Sequence, residues 1–173
     1  VRSGRALYVG ISNYPAAEAK KAIAILKDLG TPCLIHQARY SMLDRWVEDG
    51  LLDVLTEGGV GCIAFSPLEQ GMLSNKYLNG IPADSRAGQG MTYLEKETVE
   101  KNLPKIKELN KIAVERGQSL SQMAIAWLLH NKAVTSVLVG VSKIEQLVDN
   151  AKTLENTSFS DEEVKKVKAI LTA

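Results

Sequence analysis

Four short apolar segments along the chain predict strands that are buried on both faces. The segments end at Ser12, Gln37, Ser66 and Gly140, and each is a brief, nearly continuous apolar run without strict alternation. Such runs are typical of parallel strands that helices cover. The first three begin about one strand–helix unit apart, whereas the fourth follows a much longer gap.

Apolar residues at helical spacing predict amphipathic helices between these strands. The predicted helices cover residues 16–29, 46–55, 103–116 and 122–129, and the last is apolar nearly all round, which indicates a buried helix. Capping boxes at Ser142–Glu145 and Ser160–Glu163 predict the starts of two more helices. The polar, glycine-rich stretch 71–90 is predicted to be a long loop, and such loops in compact domains are usually functional or mobile.

Alternating strands and helices predict an α/β fold with a parallel sheet. A complete (β/α)8 TIM barrel needs about 250 residues. Four strand–helix units, a long loop and a C-terminal helix in 173 residues therefore predict about half of such a barrel, as a single segment 1–173 without an internal domain boundary. A small open doubly wound sheet is the alternative, but no G-x-G-x-x-G or P-loop turn follows any strand. The start at Val1 rather than Met suggests a piece of a longer chain.

Composition and charge exclude several classes of protein. The 21 Lys and Arg are balanced by 20 Asp and Glu, so there is no basic excess for binding nucleic acid. No apolar run approaches the roughly eighteen residues of a membrane span, and no secretion signal opens the chain. Cys33 and Cys62 lie in apolar segments without metal-ligand spacing, which predicts buried thiols, no metal site and a cytoplasmic location.

Neutral polar side chains follow the predicted strands, where parallel α/β folds bind ligands. Ser12, Asn13 and Gln37 can donate and accept hydrogen bonds, which suits a carboxamide. The alternative is that Asn13 only caps the following helix and that Ser66 only ends a strand. His36 alternates with Gln37 along its strand, so it is expected to point toward the helices as a core histidine.

Cationic groups and one helix start are candidates for binding an anion. Ser142 begins a predicted helix, so its hydroxyl, the free backbone N–H groups and Lys143 could together bind an anion. A capping box alone would also explain Ser142. Lys76 and Arg86 on the long loop could clamp a pyrophosphate, although most exposed side chains of these types have no such role.

Taken in order, the four strand ends resemble the carboxyl-terminal half of the aldo-keto reductases, over essentially the whole chain. The matching motifs are Tyr8-Val9-Gly10-Ile11-Ser12-Asn13-Tyr14, Gln37 with Tyr40-Ser41, Phe65-Ser66-Pro67-Leu68 with Gly71, and Val139-Gly140-Val141-Ser142 with Gln146-Leu147 and Asn150. The resemblance implies that the chain is the second half of a (β/α)8 barrel and that it binds NADPH.

The resemblance also implies a role for each matching residue. Ser12, Asn13 and Gln37 match positions that hold the nicotinamide carboxamide, and Phe65 matches the aromatic residue that stacks on the ring. The positions that line the pyrophosphate are Ser66, Pro67, Leu68 and Gly71, with Lys76 and Arg86 as the cationic clamp. Those of the adenosine and 2′-phosphate site are Gly140, Ser142, Lys143, Gln146 and Asn150. Glu69 departs from the family pattern, in which a small residue lies beside the phosphates.

The implied activity is NADPH-dependent reduction of small aldehydes or ketones, such as L-glyceraldehyde 3-phosphate or methylglyoxal. In the family, a Tyr assisted by Lys, Asp and His from the amino-terminal half donates the proton, and no segment here matches their contexts. Tyr40 and Tyr93 are not substitutes, so no catalytic residue is assigned and the 173-residue chain alone is expected to be inactive. Because half a barrel has unpaired sheet edges, closure is expected to need the missing half or a second copy.

Two other functions remain open at this stage. One is a nucleotide-binding regulatory subunit, of the kind that the channel β proteins of the same family represent. The other is a phosphate-binding barrel lyase or isomerase, in which the helix end at Ser142 would bind a substrate phosphate. Saturable binding of NADPH would distinguish a reductase from a lyase.

Overall fold

The computed structural model describes residues 1–172, and its centre is one parallel sheet of four strands. The strands are β1 (Val9–Ser12), β2 (Cys33–Arg39), β3 (Gly61–Phe65) and β4 (Val134–Val137), and they lie side by side in chain order. The predicted α/β fold with a parallel sheet is therefore confirmed. Strand β2 continues past Gln37, and β4 ends before Gly140, so the segment from Leu138 to Gly140 is loop rather than strand.

Six α-helices accompany the sheet. They are α1 (Ala16–Asp28), α2 (Leu51–Glu57), α3 (Lys96–Glu115), α4 (Leu120–His130), α5 (Ile144–Ala151) and α6 (Asp161–Thr172). The single helix predicted over 46–55 is wrong: a short 3-10 turn at Trp46–Glu48 is separated from α2 by Gly50, whose φ of 78° lies outside the right-handed helical region. Helix α3 begins at Lys96 rather than at 103 and continues through Pro104.

The prediction that the strands are buried on both faces is wrong, because the two faces of the sheet differ sharply in burial. Ala38, Cys62 and Ala64 lie on one face and are completely buried in the hydrophobic core beneath the helices. The opposite face carries a row of register partners that stay partly or largely exposed, namely Ser12, Gln37, Ile63 and Ser136. Within the described residues β1 and β4 each pair on one side only, so the sheet is open on one face and at both edges. This is the geometry of part of a barrel.

Helix α4 is the central helix of the core, as its apolar sequence predicts. Leu120, Met123 and Leu128 are completely buried. A capping box fixes its start: the Ser119 side chain accepts from the Gln122 backbone N–H at 3.2 Å, and Gln122 Oε1 accepts from Ser119 N–H at 3.0 Å. The helix packs against α3, α5 and β4.

The long segment between β3 and α3 is folded onto the core. Leu73 and Ala87 are completely buried, and Ser85 Oγ donates to the Pro82 carbonyl at 2.6 Å while it accepts from the Gly88 N–H at 3.0 Å. A Cβ atom at Gly88 would collide with the carbonyl oxygens of Pro82 and Ala83, so this turn requires glycine. The segment therefore holds its side chains in place over the strand ends.

None of the helices in residues 1–172 has both the length and the apolar character that crossing a membrane requires.

Candidate functional site

The ends of β1 and β2 bring the predicted carboxamide-binding residues together. Ser12 and Gln37 are register partners, and the Asn13 N–H donates to the Gln37 carbonyl at 3.0 Å. Asn13 has a left-handed φ of 55°, and its Oδ1 accepts from the Arg39 N–H at 3.2 Å. Helix α1 has no side-chain cap, so the alternative in which Asn13 caps it is wrong. Asn13 instead connects the ends of β1 and β2 at the carboxyl edge of the sheet.

The loop after β3 is strained over a few residues. Ser66, Glu69 and Gln70 have φ values of 55°, 44° and 57°, and Gly71 follows at 95°. Each left-handed non-glycine residue costs on the order of 1–3 kcal/mol and persists only where the surroundings fix it. Because such residues cluster at ligand sites, their concentration at one strand end marks the loop 66–71, hereafter the β3 loop, as a candidate binding element.

A cavity of about 640 Å³ lies between the β3 loop, the segment after β4 and the start of α5. Its volume is within the range of small-molecule sites, roughly 300–1,000 Å³. Most of the residues predicted for the pyrophosphate and adenosine ends line it, namely Ser66, Pro67, Leu68, Gly71, Lys76, Arg86, Gly140, Ser142, Gln146 and Asn150.

Five predicted site residues lie outside the wall of this cavity. Ser12, Asn13, Gln37 and Phe65 are at the neighbouring ends of β1, β2 and β3. Phe65 is the register partner of Arg39 and is half-buried. Lys143 is exposed and forms the N-cap of α5, next to the lining residue Ser142.

Helix α5 begins one residue later than predicted, so the capping box at Ser142 and Glu145 is wrong. The N-cap is Lys143, and the capping acceptor is Gln146. Gln146 Oε1 accepts from the N–H groups of Ser142 at 2.9 Å and Lys143 at 3.3 Å, and it lies 3.3 Å from Ser142 Oγ. The other predicted box is confirmed, because Ser160 Oγ accepts from Glu163 N–H at 3.2 Å and Glu163 Oε2 accepts from Ser160 N–H at 2.7 Å.

The two predicted cations both reach the cavity from the long segment. Lys76 is exposed and follows Ser74, whose Oγ accepts from the Lys76 N–H at 3.3 Å. Arg86 Nη1 donates to Gln70 Oε1 at 2.6 Å, so its guanidinium is linked to the β3 loop. Lys76 and Arg86 thus give the cavity wall a positive charge.

Glu69 belongs to the β3 loop but is only 6% exposed, whereas its neighbour Gln70 lines the cavity. The carboxylate forms an ion pair with the Arg39 guanidinium and accepts from Ser41 Oγ at 2.8 Å. Its negative charge is therefore neutralised on the β2 side of the loop. This explains how an acid is accommodated where the resemblance led us to expect a small residue.

Sequence reasoning missed eight residues that line the cavity, and five of these are polar, namely Gln70, Ser74, Tyr77, Ser121 and Asp149. Tyr77 is 1% exposed, and its hydroxyl has no hydrogen-bond partner among the described residues. A buried polar group without a partner is uncommon and indicates a site for water or a ligand. Only the Lys76-Tyr77 neighbourhood in the long loop could have drawn attention to this residue.

Other titratable groups near the strands are buried in the core, as predicted. His36 is completely buried, and its Nε2 lies 3.1 Å from both the N and the O atom of Tyr14. Burial lowers the pKa of His36, which favours the neutral ring that accepts from the Tyr14 N–H. Burial raises the pKa of Cys62 to about 11 and also raises the pKa of Cys33, so both are unreactive thiols.

Within residues 1–172, no group of three or more His, Cys, Asp or Glu side chains is placed to hold a metal ion. The polar groups of the cavity wall are mostly hydroxyls, amides and cations, which suit an anionic organic ligand; the one acid among its described residues, Asp149, accepts hydrogen bonds from Ser119 and Gln122.

The parallel sheet with one open face and the cavity at its carboxyl edge are features of α/β barrel proteins, in which ligand sites lie at the carboxyl ends of the strands. The model of the Aldo/keto reductase family matches residues 1–172, and the chain belongs to this family. The sheet is accordingly part of a (β/α)8 barrel.

Curated relatives include two bacterial enzymes. The chain is 50% identical over 174 residues to the L-glyceraldehyde 3-phosphate reductase of Escherichia coli O157:H7, covering 96% of this chain and 50% of the relative. It is 49% identical over 174 residues to the L-glyceraldehyde 3-phosphate reductase of Escherichia coli strain K12, with the same coverage. The chain therefore spans about half the length of these relatives.

Proposed function

We propose that this chain forms the NADPH-binding part of an aldo-keto reductase. The observation that carries the proposal is the cavity at the carboxyl edge of the sheet. There the β3 loop, the cations Lys76 and Arg86 and the start of α5 face one space. A dinucleotide has two phosphates between two ring systems, and this wall offers charge in the middle and hydrogen-bonding groups at its ends.

The residues present fit such a cofactor from end to end. Ser12, Asn13 and Gln37 would hold the carboxamide beside the Phe65 ring, because neutral amides and hydroxyls match its donor and acceptor atoms. The pyrophosphate would lie along the β3 loop between Lys76 and Arg86. Ser142, Lys143, Gln146 and Asn150 would bind the adenosine end, where the N-terminus of α5 favours a phosphate.

When bound, a reduced nicotinamide supplies a hydride to a carbonyl carbon. The described residues would bind and orient the cofactor, and we assign none of them as the proton donor. Tyr93 is 78% exposed, and the hydroxyl of Tyr40 donates to Glu48 Oε1 at 2.8 Å. Burial raises the pKa of Tyr40 above its ordinary value, so the Tyr40 hydroxyl is a poor proton donor. We therefore infer that the 173-residue chain alone does not turn over substrate.

For the intact reductase we propose small aldehydes as substrates, with L-glyceraldehyde 3-phosphate and methylglyoxal as the first to test. The identity to two bacterial L-glyceraldehyde 3-phosphate reductases supports the first of these substrates. We also propose that further strands, from another chain segment or a second copy, close the barrel along β1 and β4, because open edges favour pairing. A cytoplasmic location is consistent with the two buried free thiols.

The test is a titration of the protein with NADPH, followed by quenching of the fluorescence of Trp46 and Trp127. We expect saturable quenching, with Lys101→Glu on the exposed side of α3 behaving like the wild type. Absence of saturable binding, together with competition by inorganic phosphate for a triose phosphate, would instead favour a phosphate-binding lyase or isomerase. Reduction of methylglyoxal by the purified 173-residue chain at an ordinary enzymatic rate would contradict the inferred inactivity.

A further inference from the structure

An ion pair joins Glu69 of the β3 loop to Arg39, the last residue of β2. Glu69 Oε1 accepts from Arg39 Nη2, and Glu69 Oε2 accepts from Ser41 Oγ at 2.8 Å. Ser41 Oγ itself accepts from the N–H of Asp44 at 2.9 Å, and Asp44 Oδ2 lies 3.2 Å from Arg39 Nε. Both oxygens of the Glu69 carboxylate thus have partners that belong to the β2 end.

Separating this ion pair is costly because the carboxylate is withdrawn from water. The Glu69 side chain is 8% exposed, whereas that of Arg39 is 43% exposed. A buried carboxylate is costly unless it is paired and hydrogen-bonded, so a conformation that separates Glu69 from Arg39 and Ser41 is disfavoured. The pair consequently fixes where residue 69 lies relative to β2.

The position of residue 69 matters because the loop around it is strained. Glu69 and Gln70 are consecutive left-handed residues, with φ of 44° and 57°. Two such residues in a row relax to ordinary backbone conformations unless other contacts fix them. The ion pair with Arg39 holds the Glu69 side chain on the buried side of the loop.

The opposite side of the same loop forms the cavity wall. Gln70 lines the cavity, and its Oε1 accepts from Arg86 Nη1 at 2.6 Å. Gly71 follows, and its carbonyl accepts from Ser74 Oγ at 2.6 Å, just before Lys76. Contacts therefore run from Arg39 and Glu69 through Gln70 to Arg86.

We propose that Arg39 and Glu69 are positioning residues, which hold the β3 loop and Arg86 in the conformation that binds the pyrophosphate of the cofactor. Neither residue lines the cavity wall. This inference rests on the proposed function, and it adds residues for which the family resemblance gives no role. We expect Arg39 and Glu69 to affect binding of the pyrophosphate and not binding of the adenosine end, which α5 would hold.

The experiment compares two ligands on the same variants. NADPH spans the β3 loop, whereas 2′-AMP carries the adenosine and 2′-phosphate without a pyrophosphate. We expect Glu69→Gln and Arg39→Gln each to weaken NADPH binding about tenfold, the effect expected from releasing strain at one loop residue. The affinity for 2′-AMP should stay within about twofold of the wild type. The double variant should lose no more than either single variant, because the two residues act as a unit.

The exposed ion pair between Lys111 and Glu108 on α3, with 2.6 Å between Nζ and Oε1, provides the matched control. Glu108→Gln should leave both affinities unchanged. Glu69→Gln preserves the size of the side chain and one hydrogen-bond acceptor, so it carries the test even if a larger truncation such as Glu69→Ala fails to fold.

Equal losses of affinity for NADPH and 2′-AMP would show that Arg39 and Glu69 have only a structural role, which would overturn the inference. Unchanged NADPH binding in Glu69→Gln would overturn it as well. A wild-type protein that binds no NADPH would instead contradict the proposed function itself, and this inference with it. The two failures are therefore distinguishable by the wild-type titration alone.

Discussion

Gln146 folds back over the start of α5, and its Oε1 accepts from the backbone N–H of Ser142 at 2.9 Å. The same oxygen accepts from the Lys143 N–H at 3.3 Å. The Lys143 N–H belongs to the N-cap and is one of the free donors that an anion at the helix N-terminus could use, so Gln146 there occupies the place of a ligand oxygen. A phosphate and the Gln146 side chain therefore compete for this donor.

Gln146→Glu should strengthen the cap and weaken cofactor binding. A carboxylate accepts from the same N–H groups and interacts favourably with the helix dipole, which should raise the free energy of unfolding by about 0.5 kcal/mol. It also repels a phosphate, so NADPH binding should weaken at least about tenfold. Thermal unfolding and NADPH titration measure the two effects. An unchanged affinity would exclude the α5 start as a phosphate site, and Asn102→Asp on α3 controls for the added charge.

Lys143→Glu should discriminate between the two nicotinamide cofactors. Lys143 is exposed next to the cavity residue Ser142, where a 2′-phosphate would lie. Reversing its charge should weaken NADPH binding by about tenfold or more and NADH binding by less than about threefold. Parallel fluorescence titrations with both cofactors measure this, with Lys101→Glu as the control. Equal losses for the two cofactors would argue against a 2′-phosphate contact.

Tyr77→Phe tests the buried hydroxyl in the cavity wall. This hydroxyl has no partner among the described residues, so its removal sacrifices no hydrogen bond within the protein. We expect the free energy of unfolding to change by less than about 0.5 kcal/mol, and NADPH binding to weaken about fivefold through loss of a donor to the ligand. Urea denaturation and NADPH titration are the measurements. A large loss of stability would indicate a structural hydrogen bond instead.

The secondary structure was predictable where one local pattern decides it. The apolar runs that end at Ser12 and Gln37 predicted strands, and the nearly all-apolar segment around Met123 predicted a buried helix, and both elements are present. The expected burial of the strands on both faces is wrong for β1, in which no residue is buried. The helix predicted over 46–55 failed because Gly50 adopts a left-handed conformation that the apolar spacing does not reveal. At α5, Glu145 and Gln146 both suit a capping box, so local sequence could not choose between starts one residue apart.

Strand positions predicted the site residues that follow strands directly, and the charges of the long loop added Lys76 and Arg86. Parallel strands bring their carboxyl ends to one edge, which is why Ser66 and Ser142 could be assigned to one site before any coordinates. The Arg39–Glu69 pair joins residues 30 positions apart, and it depends on the register that places Arg39 beside Phe65. That register and the burial of Tyr77 are set by long-range packing, which no motif in this sequence specifies.

Arg116→Ala should strongly destabilise the contact between α3 and α6. The Arg116 side chain is 3% exposed, and its Nη1 pairs with Glu163 Oε1 at 2.7 Å. Its Nη2 donates to the Ser158 carbonyl at 2.8 Å, and its Cζ lies 3.8 Å from the centre of the Phe159 ring. Removing a buried charge with these partners should cost about 2–3 kcal/mol in urea denaturation. Lys111→Ala on the exposed face of α3 should cost less than about 0.5 kcal/mol, and equal costs would refute the structural role.

His36 should make the stability depend on pH on the acid side of neutrality. Because burial lowers the pKa of His36 in the folded state, the unfolded chain binds a proton at a higher pH, near its ordinary pKa of about 6.5. The unfolded state then holds more protons, so the free energy of unfolding is fully present above about pH 6.5 and falls as the pH drops below it. The slope from this one group is at most about 1.4 kcal/mol per pH unit.

Urea denaturation at several pH values between about 5 and 7.5 measures this slope. His36→Gln retains an acceptor for the Tyr14 N–H but cannot take up the proton, so its stability should be lower yet nearly constant over this range. His130→Gln at the end of α4 should keep the wild-type slope, because His36 is still present. The carboxylates Glu48 and Glu163 have lowered pKa values and lose their stabilising effect only at more acidic pH. A His36→Gln variant with the full wild-type slope would therefore show that another group is responsible.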